Sequence, residues 1–132
     1  MAEGEYRVLK GKSKKILIVD DERQMRDFLS VLLSSKGFDV ITAENGEMAF
    51  KKLLKASYDL LITDLNMPIM NGLELVDKMY QNDIRITTII MSAFLPRMSK
   101  EYTERRKIYG CIAKPFQPDE IITAVEIGLM AN

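Results

Sequence analysis

Residues 58–72 read YDLLITDLNMPIMNG, and this stretch decides the fold of the chain. An apolar run ends at the carboxylate of Asp64, and a turn that contains Pro68 and Gly72 follows. Short apolar runs of this kind are typical of strands that are buried on both faces of a parallel sheet. Open α/β sheets bind their ligands at the carboxyl ends of such strands. Asp64 is therefore the first candidate for a functional residue.

The same alternation of apolar runs and amphipathic segments extends along the chain. Parallel strands require crossover helices, and those connections are right-handed. The pattern therefore predicts a doubly wound, flavodoxin-like α/β fold, (βα)5, whose five-stranded parallel sheet has the order 2-1-3-4-5. Gly37 suits the C-cap of the first helix, and Pro96 suits the first turn of the fourth. The predicted strands cover residues 16–19, 38–43, 58–63, 85–91 and 109–113, and the other predicted helices cover residues 25–33, 46–56, 73–80 and 118–130.

The composition limits the functions that are open to the chain. Its 132 residues suffice for one domain with a hydrophobic core, and 19 basic residues balance 19 acidic residues. A balanced charge argues against direct nucleic-acid binding, and no apolar stretch is long enough for a bilayer. The absence of histidine excludes imidazole catalysis, and the single cysteine, Cys111, fits a reducing cytoplasm. We expect a flexible tail or linker over residues 1–14 and the domain over residues 15–132.

Other polar residues also follow apolar runs. Asp20 and Asp21 come directly after the first predicted strand, Ser92 follows the fourth, and Lys114 follows the fifth. Because the carboxyl ends of parallel strands meet at one edge of the sheet, we expect these residues to meet Asp64. Three crowded carboxylates repel one another and recruit a hard divalent cation, and Mg²⁺ fits best. The alternative interpretation is that Asp20 or Asp21 only caps the first helix.

With a metal at this edge, Asp64 becomes a candidate nucleophile. A carboxylate can attack a phosphoryl group and form an acyl phosphate while the metal neutralises the developing charge. Lys114 supplies a second positive charge for the phosphoryl oxygens, and Ser92 offers a short hydroxyl donor. Taken alone, Ser92 is equally an ordinary hydroxyl at a strand end.

Four short motifs occur along the chain in a fixed order. They are ILIVDD at residues 16–21, DLNMPIMNG at 64–72, MSA at 91–93 and KPF at 114–116. Any one of them can occur by chance. Together, at this spacing, they resemble a response-regulator receiver domain of two-component signalling, of the stand-alone, chemotaxis-regulator-like type. The resemblance covers the chain from Ile16 to Met130.

The resemblance implies roles in phosphoryl chemistry for the residues at the strand ends. Asp64 matches the phosphoacceptor, and Ser92 matches the switch hydroxyl that turns toward the phosphoryl group. Lys114 matches the lysine that pairs with the phosphate. The family's lysine–proline bond is usually cis, so we expect a cis bond between Lys114 and Pro115.

The resemblance also implies a set of ligands for Mg²⁺. Asp21 matches the acidic residue that binds the metal directly, and Asp20 matches its partner, which usually reaches the metal through water. The backbone carbonyl of Asn66 matches a further ligand. Together with Asp64, these residues form the implied metal site.

The chain departs from the family's pattern near its fifth strand. Many members carry, three residues before the lysine, an aromatic residue that swings inward when the switch hydroxyl moves. This chain has Cys111 there, which we interpret as a small buried residue, and Tyr109, on the same side of the predicted strand, can partly substitute. Phe94 and Asn66 match the positions that flank the phosphoryl group. We hypothesise that the ring of Phe94 screens the acyl phosphate from water; the alternative is that it only packs against the following helix.

The resemblance implies a phosphorylation-activated signalling switch rather than a turnover enzyme. A histidine kinase or a histidine phosphotransfer protein is the expected donor, because the chain has no histidine of its own. The fourth helix, fifth strand and last helix form the expected output surface for a downstream protein partner. We expect a cytoplasmic monomer or phosphorylation-dependent dimer that contacts neither nucleic acid nor membrane directly.

Two alternatives stay open. The chain is either a stand-alone regulator or a receiver domain cut from a larger DNA-binding or enzymatic response regulator or from a hybrid kinase. The weaker alternative is a Mg²⁺-dependent aspartate-nucleophile phosphatase. That class needs a second acid two residues after the nucleophile, and this chain has Asn66 there. A nucleotide-binding module is weaker still, since the chain has neither G-x-G-x-x-G nor a Walker-type loop.

Overall fold

The computed structural model describes residues 13–130, and residues 1–12 and 131–132 lie outside the described part. The predicted tail over residues 1–14 therefore falls almost wholly outside it. The predicted boundaries of the tail and of the domain stay a prediction.

Within residues 13–130, five parallel strands alternate with five helices, and the sheet has the order β2-β1-β3-β4-β5. This confirms the predicted flavodoxin-like fold. None of these helices combines the length and the apolar character that crossing a membrane requires. The elements are β1 (Lys15–Val19), α1 (Arg23–Ser35), β2 (Asp39–Ala43), α2 (Gly46–Lys55), β3 (Leu60–Asp64), α3 (Gly72–Gln81), β4 (Thr87–Ser92), α4 (Lys100–Arg105), β5 (Ile108–Ala113) and α5 (Pro118–Met130).

Two apolar layers sandwich the sheet, because successive residues of each buried strand point to opposite faces. The layer formed with α1 and α5 contains Ile16, Ile18, Leu29, Leu33, Ile62, Ile89, Ile121 and Val125. The layer formed with α2 and α3 contains Leu17, Val19, Ala49, Phe50, Leu53, Leu61, Leu75 and Met79. The strands are therefore fixed by burial along their length, and their polar carboxyl ends are left to form a site.

The end of α1 matches its sequence signal. Gly37 has a φ of 91°, a conformation that glycine adopts without steric cost. Its N–H donates to the carbonyl of Ser34 (3.0 Å), and the N–H of Phe38 donates to the carbonyl of Leu33 (3.3 Å). This pair of bonds is a Schellman motif, so the chain turns directly from α1 into β2.

The start of α4 differs from the prediction. Pro96 lies in the loop before the helix, and α4 begins at Lys100 after Ser99, whose side chain accepts from the N–H of Tyr102 (3.1 Å). The helix buries none of its residues, so no apolar period marks where it begins. The hydroxyl cap at Ser99, rather than proline geometry, determines the start.

A β-bulge interrupts β5 and changes the direction of one side chain. Thr88 pairs with Ile108 and Ile89 pairs with Gly110, so Tyr109 is an extra residue in β5. The Tyr109 ring lies on the α5 side, 3.7 Å from where a Cβ at Gly128 would stand. Cys111 packs on the other side of the sheet. The expectation that Tyr109 shares the face of Cys111 is therefore wrong, because the bulge breaks the two-residue period.

The close approach of α3 to the end of β3 generates a stability prediction. A Cβ at Gly72 would collide with the carbonyl oxygen of Asp64, so the backbone must shift to admit it. We expect Gly72→Ala to lower the free energy of unfolding by about 2 kcal/mol in urea denaturation. Gly110→Ala is the matched control, since nothing lies within 4 Å of its added Cβ. The control should leave stability unchanged or raise it by up to about 1 kcal/mol. Equal stability of the two variants would contradict the steric argument.

Candidate functional site

The adjacent strands β1 and β3 bring three carboxylates together. Val19 pairs with Thr63, so the residues that follow them in sequence lie side by side. Oxygens of Asp20, Asp21 and Asp64 all lie within 4.8 Å of one another. Asp20 is fully buried, Asp64 is 6% exposed, and Asp21 is exposed. The structure thus brings together the carboxylates that the sequence predicts at this edge; we call them the carboxylate cluster.

Hydrogen bonds to both the side chain and the backbone of Asp20 hold this residue in place. Its Oδ1 accepts from the N–H of Glu22 (2.9 Å), and its carbonyl accepts from Nη1 of Arg26 in α1 (2.8 Å). Its own N–H donates to the carbonyl of Ala43 at the end of β2 (3.2 Å). Sequence reasoning missed Arg26; the available signal is a basic residue one helical turn into α1, where its side chain can reach back to the loop.

The capping interpretation of the two aspartates fails for Asp21. The N-cap residue of α1 is Glu22, and its side chain makes no capping hydrogen bond. Asp20 accepts from the N–H of Glu22 itself and so helps to position the start of α1 from within the cluster. The side chain of Asp21 thus remains at the mouth of the carboxylate cluster, exposed to solvent.

Lys114 carries a positive charge into the carboxylate cluster from the end of β5. Its Nζ lies 3.0 Å from Oδ2 of Asp20 and 2.9 Å from Oδ1 of Asp64. The backbone N–H of Lys114 donates to the carbonyl of Ser92 (2.8 Å), and this bond ties the end of β5 to the end of β4. The bond between Lys114 and Pro115 is cis, as the resemblance led us to expect.

Burial and neighbouring charges shift the pKa values of Asp64 and Lys114. Burial raises the pKa of Asp64 above its ordinary value; the bond and charge of Lys114 lower it, and the charges of Asp20 and Asp21 raise it further. Burial lowers the pKa of Lys114, but the bonds and charges of Asp64 and Asp20 outweigh burial, so the net shift is upward. Lys114 is therefore a firmly protonated ammonium between two carboxylates.

Ser92 is fully buried beside the cluster, and its hydroxyl is engaged by the following loop. Its Oγ donates to the carbonyl of Phe94 (2.7 Å) and accepts from the N–H of Phe94 (3.2 Å). The Phe94 ring is 82% exposed, so the alternative that it packs against α4 is wrong. The ring therefore projects from the loop that the Ser92 hydroxyl holds in place.

The turn after Asp64 carries the remaining predicted ligand. Asn66 is exposed two residues beyond Asp64, while Met67 beside it is buried in the layer of α2 and α3. Ile69, later in the same turn, has a φ of 72° and is exposed, which is strained for a β-branched residue. The Asn71 side chain accepts from the N–H of Glu74 (2.8 Å) and the Glu74 side chain accepts from the N–H of Asn71 (3.0 Å). This capping box ends the turn and begins α3.

Cys111 lies away from the carboxylate cluster. It packs beside a small apolar cluster of Val76, Ile90 and Ile108, and burial raises the pKa of its thiol. A thiol with a raised pKa is largely protonated at neutral pH and is a poor nucleophile. Cys111 packs among apolar residues, as the interpretation of a small buried residue requires, but it is only half-buried.

The donor set determines the chemistry that the site can support. Three carboxylate oxygens suit a hard cation that takes oxygen ligands, and Mg²⁺ is such a cation. The lysine ammonium supplies a second positive charge at Asp64. An anionic group with several oxygens, such as a phosphoryl group, would be stabilised by both charges.

Comparison with known proteins identifies the family. A family model described as the response regulator receiver domain matches residues 16–126. Sporulation initiation phosphotransferase F of Bacillus subtilis is 34% identical over 117 residues, which are 86% of this chain and 92% of that protein. The transcriptional regulatory protein ResD of Bacillus subtilis is 34% identical over 85% of this chain but only 46% of its own length. The chain thus spans about half the length of the first curated relatives it matches.

Solved structures agree with the sequence comparison. Response regulator TrrA of Thermotoga maritima, in complex with Mg²⁺ and BeF, has a TM-score of 0.76 and is 33% identical; the match covers 87% of this chain and 98% of that one. Chemotaxis protein CheY4 of Vibrio cholerae has a TM-score of 0.77 at 29% identity, with the same coverage. The chain therefore belongs to the response regulator receiver domains, the phosphorylation-dependent switches of two-component signalling.

Proposed function

We propose that Asp64 accepts a phosphoryl group from a histidine kinase or a histidine phosphotransfer protein in a Mg²⁺-dependent reaction. The observation that carries the proposal is the Lys114 ammonium, held at 3.0 Å from Asp20 and 2.9 Å from Asp64. A half-buried lysine that bridges two carboxylates beside a third is arranged for an anionic ligand with a metal. Receiver domains as a family interact with such donors.

We propose Asp20, Asp21, Asp64 and the backbone carbonyl of Asn66 as the residues that hold Mg²⁺. Their support is the convergence of the three carboxylates and the chemistry of oxygen donors. The Thermotoga relative was solved in complex with Mg²⁺ and BeF, which is consistent with a metal beside the phosphoacceptor in that protein. When bound, the metal neutralises charge that develops on the transferred group.

The residues of this chain then have separate tasks in the transfer. An Asp64 oxygen attacks phosphorus, the donor's nitrogen–phosphorus bond breaks, and the electron pair of that bond returns to the donor imidazole. Lys114 pairs with a phosphoryl oxygen in place of the Asp64 oxygen to which it is bonded in the unmodified domain. Ser92 exchanges its bond to the Phe94 carbonyl for a bond to the phosphoryl group. The domain gains one phosphoryl group and does not catalyse repeated cycles of phosphoryl transfer.

We propose that three further residues modulate the switch. Phe94 screens the acyl phosphate from water, and Pro115 fixes the direction of the chain after Lys114. Cys111 stands where an aromatic residue reports the state of the switch in many relatives. Because Cys111 is small and Tyr109 lies on the other side of the sheet, the readout in this chain depends on the backbone of the loop after Ser92 and on α4.

The consequence of phosphorylation is a change in protein binding through the face formed by α4, β5 and α5. We propose that the domain over residues 15–132 acts in the cytoplasm as a monomer or a phosphorylation-dependent dimer. It binds neither nucleic acid nor membrane directly. ResD is about twice as long as its matched segment, whereas sporulation initiation phosphotransferase F is matched over 92% of its length, so a stand-alone regulator and the receiver part of a larger regulator both stay open.

The phosphatase alternative has weak support. The residue two positions beyond Asp64 is Asn66, an amide that cannot act as the general acid such enzymes require. Incubation with a small phosphodonor and Mg²⁺ separates the two functions. A receiver domain retains one labile phosphate per molecule, whereas a phosphatase releases many equivalents of phosphate.

The first prediction of the proposed function concerns the acceptor itself. Wild-type protein incubated with acetyl phosphate and Mg²⁺ should gain the mass of one phosphoryl group, and Asp64→Asn should gain none. The amide cannot form an acyl phosphate. Asp27→Asn, which changes an exposed carboxylate of α1, is the control and should behave as wild type. Intact-protein mass spectrometry gives the result, and a modified Asp64→Asn variant would overturn the assignment.

The second prediction concerns Lys114 and the metal. Without metal, Lys114→Met leaves the carboxylates of Asp20 and Asp64 without their buried counter-charge, so we expect the free energy of unfolding to fall by about 1–3 kcal/mol. Added Mg²⁺ should then raise the melting temperature of the variant more than that of wild type, because no ammonium competes for the carboxylates. The control is Lys100→Met, which removes an exposed ammonium that pairs with Glu104. An equal Mg²⁺ effect on variant and wild type would contradict the competition.

The third prediction concerns the lifetime of the acyl phosphate. If the exposed Phe94 ring covers the phosphoryl group once the loop has moved, Phe94→Ala should lose phosphate several-fold faster after removal of the donor. Leu95→Ala, a neighbouring exposed apolar residue of the same loop, is the matched control. Loss of phosphate can be followed by mass spectrometry over time. An unchanged rate in Phe94→Ala would show that the ring does not screen the bond.

A further inference from the structure

Helix α4 has a fixed place beside α3 although none of its residues is buried. Tyr102 of α4 and Met98 of the preceding loop pack at the margin of the cluster of Val76, Ile90 and Ile108. The salt bridges along α4 itself join exposed side chains and contribute little. The side-chain hydrogen bonds that tie α4 to α3 converge on Asp77.

One carboxylate oxygen of Asp77 accepts two hydrogen bonds, one from a residue of α4 and one from the residue that caps its C-terminal end. The Tyr102 hydroxyl donates at 2.7 Å, and Nε of Arg106 donates at 2.8 Å. The Arg106 guanidinium lies 3.9 Å from the centroid of the Tyr102 ring and 4.5 Å from that of Tyr80. We call Asp77, Tyr80, Tyr102 and Arg106 the Asp77 clamp.

The Asp77 clamp is more than a surface ion pair. The Arg106 side chain is only 17% exposed, and its guanidinium group packs against the rings of Tyr80 and Tyr102. Burial and the bond to Asp77 raise the pKa of Tyr102 to about 12, so its hydroxyl remains a donor at neutral pH.

The clamp lies at one end of the loop whose other end is Ser92. Residues 93–99 connect β4 to α4. At the start of this loop, the Ser92 hydroxyl is bonded to the carbonyl and the N–H of Phe94. At its end, Ser99 caps α4 through the N–H of Tyr102, the residue whose hydroxyl is bonded to Asp77. The loop is therefore held at both ends while Ser92 is bonded to Phe94.

We propose that Asp77 is a positioning residue of the switch, whose bonds to Tyr102 and Arg106 stabilise the arrangement in which Ser92 is bonded to Phe94. This inference rests on the proposed phosphorylation of Asp64. Movement of Ser92 toward a phosphoryl group displaces the loop and, through it, α4, and so strains or breaks the clamp. Because coupling between two sites is reciprocal, the clamp lowers the affinity of the cluster for a phosphoryl group.

The test measures that affinity with a phosphoryl mimic. Beryllofluoride is titrated in the presence of Mg²⁺ into wild type, Asp77→Ala and Tyr102→Phe, and binding is followed by fluorine NMR. We expect Asp77→Ala to bind about fivefold more tightly than wild type, at the lower end of typical couplings. Tyr102→Phe, which removes one of the two bonds and keeps the ring, should bind more tightly by a smaller factor. Asp27→Ala, which removes an exposed carboxylate that pairs with Arg23 in α1, should bind as wild type does.

Each outcome decides the proposal. Unchanged or weaker binding by Asp77→Ala would overturn the role of the clamp while the proposed function stands. If circular dichroism shows that Asp77→Ala does not fold, Tyr102→Phe alone decides, and unchanged affinity in that variant overturns the clamp. Failure of wild type to bind beryllofluoride would overturn the proposed function, and the clamp's role with it.

Discussion

The ammonium group of Lys114 is the interaction on which the site depends. Asp20 is fully buried and Asp64 nearly so, and both lie beside Asp21. Buried carboxylates at this distance repel each other, and each also loses its hydration. Lys114 offsets both costs by bonding to the two buried carboxylates at once. A buried ion pair is seldom an efficient source of stability, so its presence here is better explained by what the site must bind.

The sheet is what makes this arrangement possible. Along their length, the central strands are mostly apolar and are buried, and their charged groups appear only where the strands end. The order of the strands places β3 between β1 and β4, so that Asp20, Asp64 and Ser92 come from three adjacent strands. Lys114 reaches in from β5, and its backbone bond to Ser92 fixes the point from which it extends. Hydrophobic burial thus positions the charges, and the charges contribute specificity rather than the fold.

Most of the fold and the centre of the site could be predicted, because both depend on local patterns. Each strand is a contiguous apolar run, and Asp64 and its partners are directly adjacent to the ends of such runs. Three features could not be predicted in this way. The bulge at Tyr109 adds one residue that a two-residue period cannot reveal. The start of α4 lacks an apolar pattern, and Pro96 misled the prediction for that reason. The bond from Arg26 to the carbonyl of Asp20 depends on how α1 lies against the loop, which the sequence does not state.

The hydrogen bonds of Ser92 show why distant contacts matter in such a switch. Within residues 13–130, no buried side-chain nitrogen or oxygen lacks a partner, and the Ser92 hydroxyl is satisfied by Phe94. In the proposed function, engagement of a phosphoryl group is therefore an exchange of one partner of Ser92 for another. A neutral hydrogen bond contributes roughly 0.5–1.5 kcal/mol and one to a charged group roughly 1.5–3 kcal/mol, so the exchange itself favours the engaged state by only about 1–2 kcal/mol. The bonds between Asp77 and α4, at the other end of the loop, contribute a free energy of comparable size. The balance between the two states is consequently set as much by the surface that holds α4 as by the chemistry at Asp64.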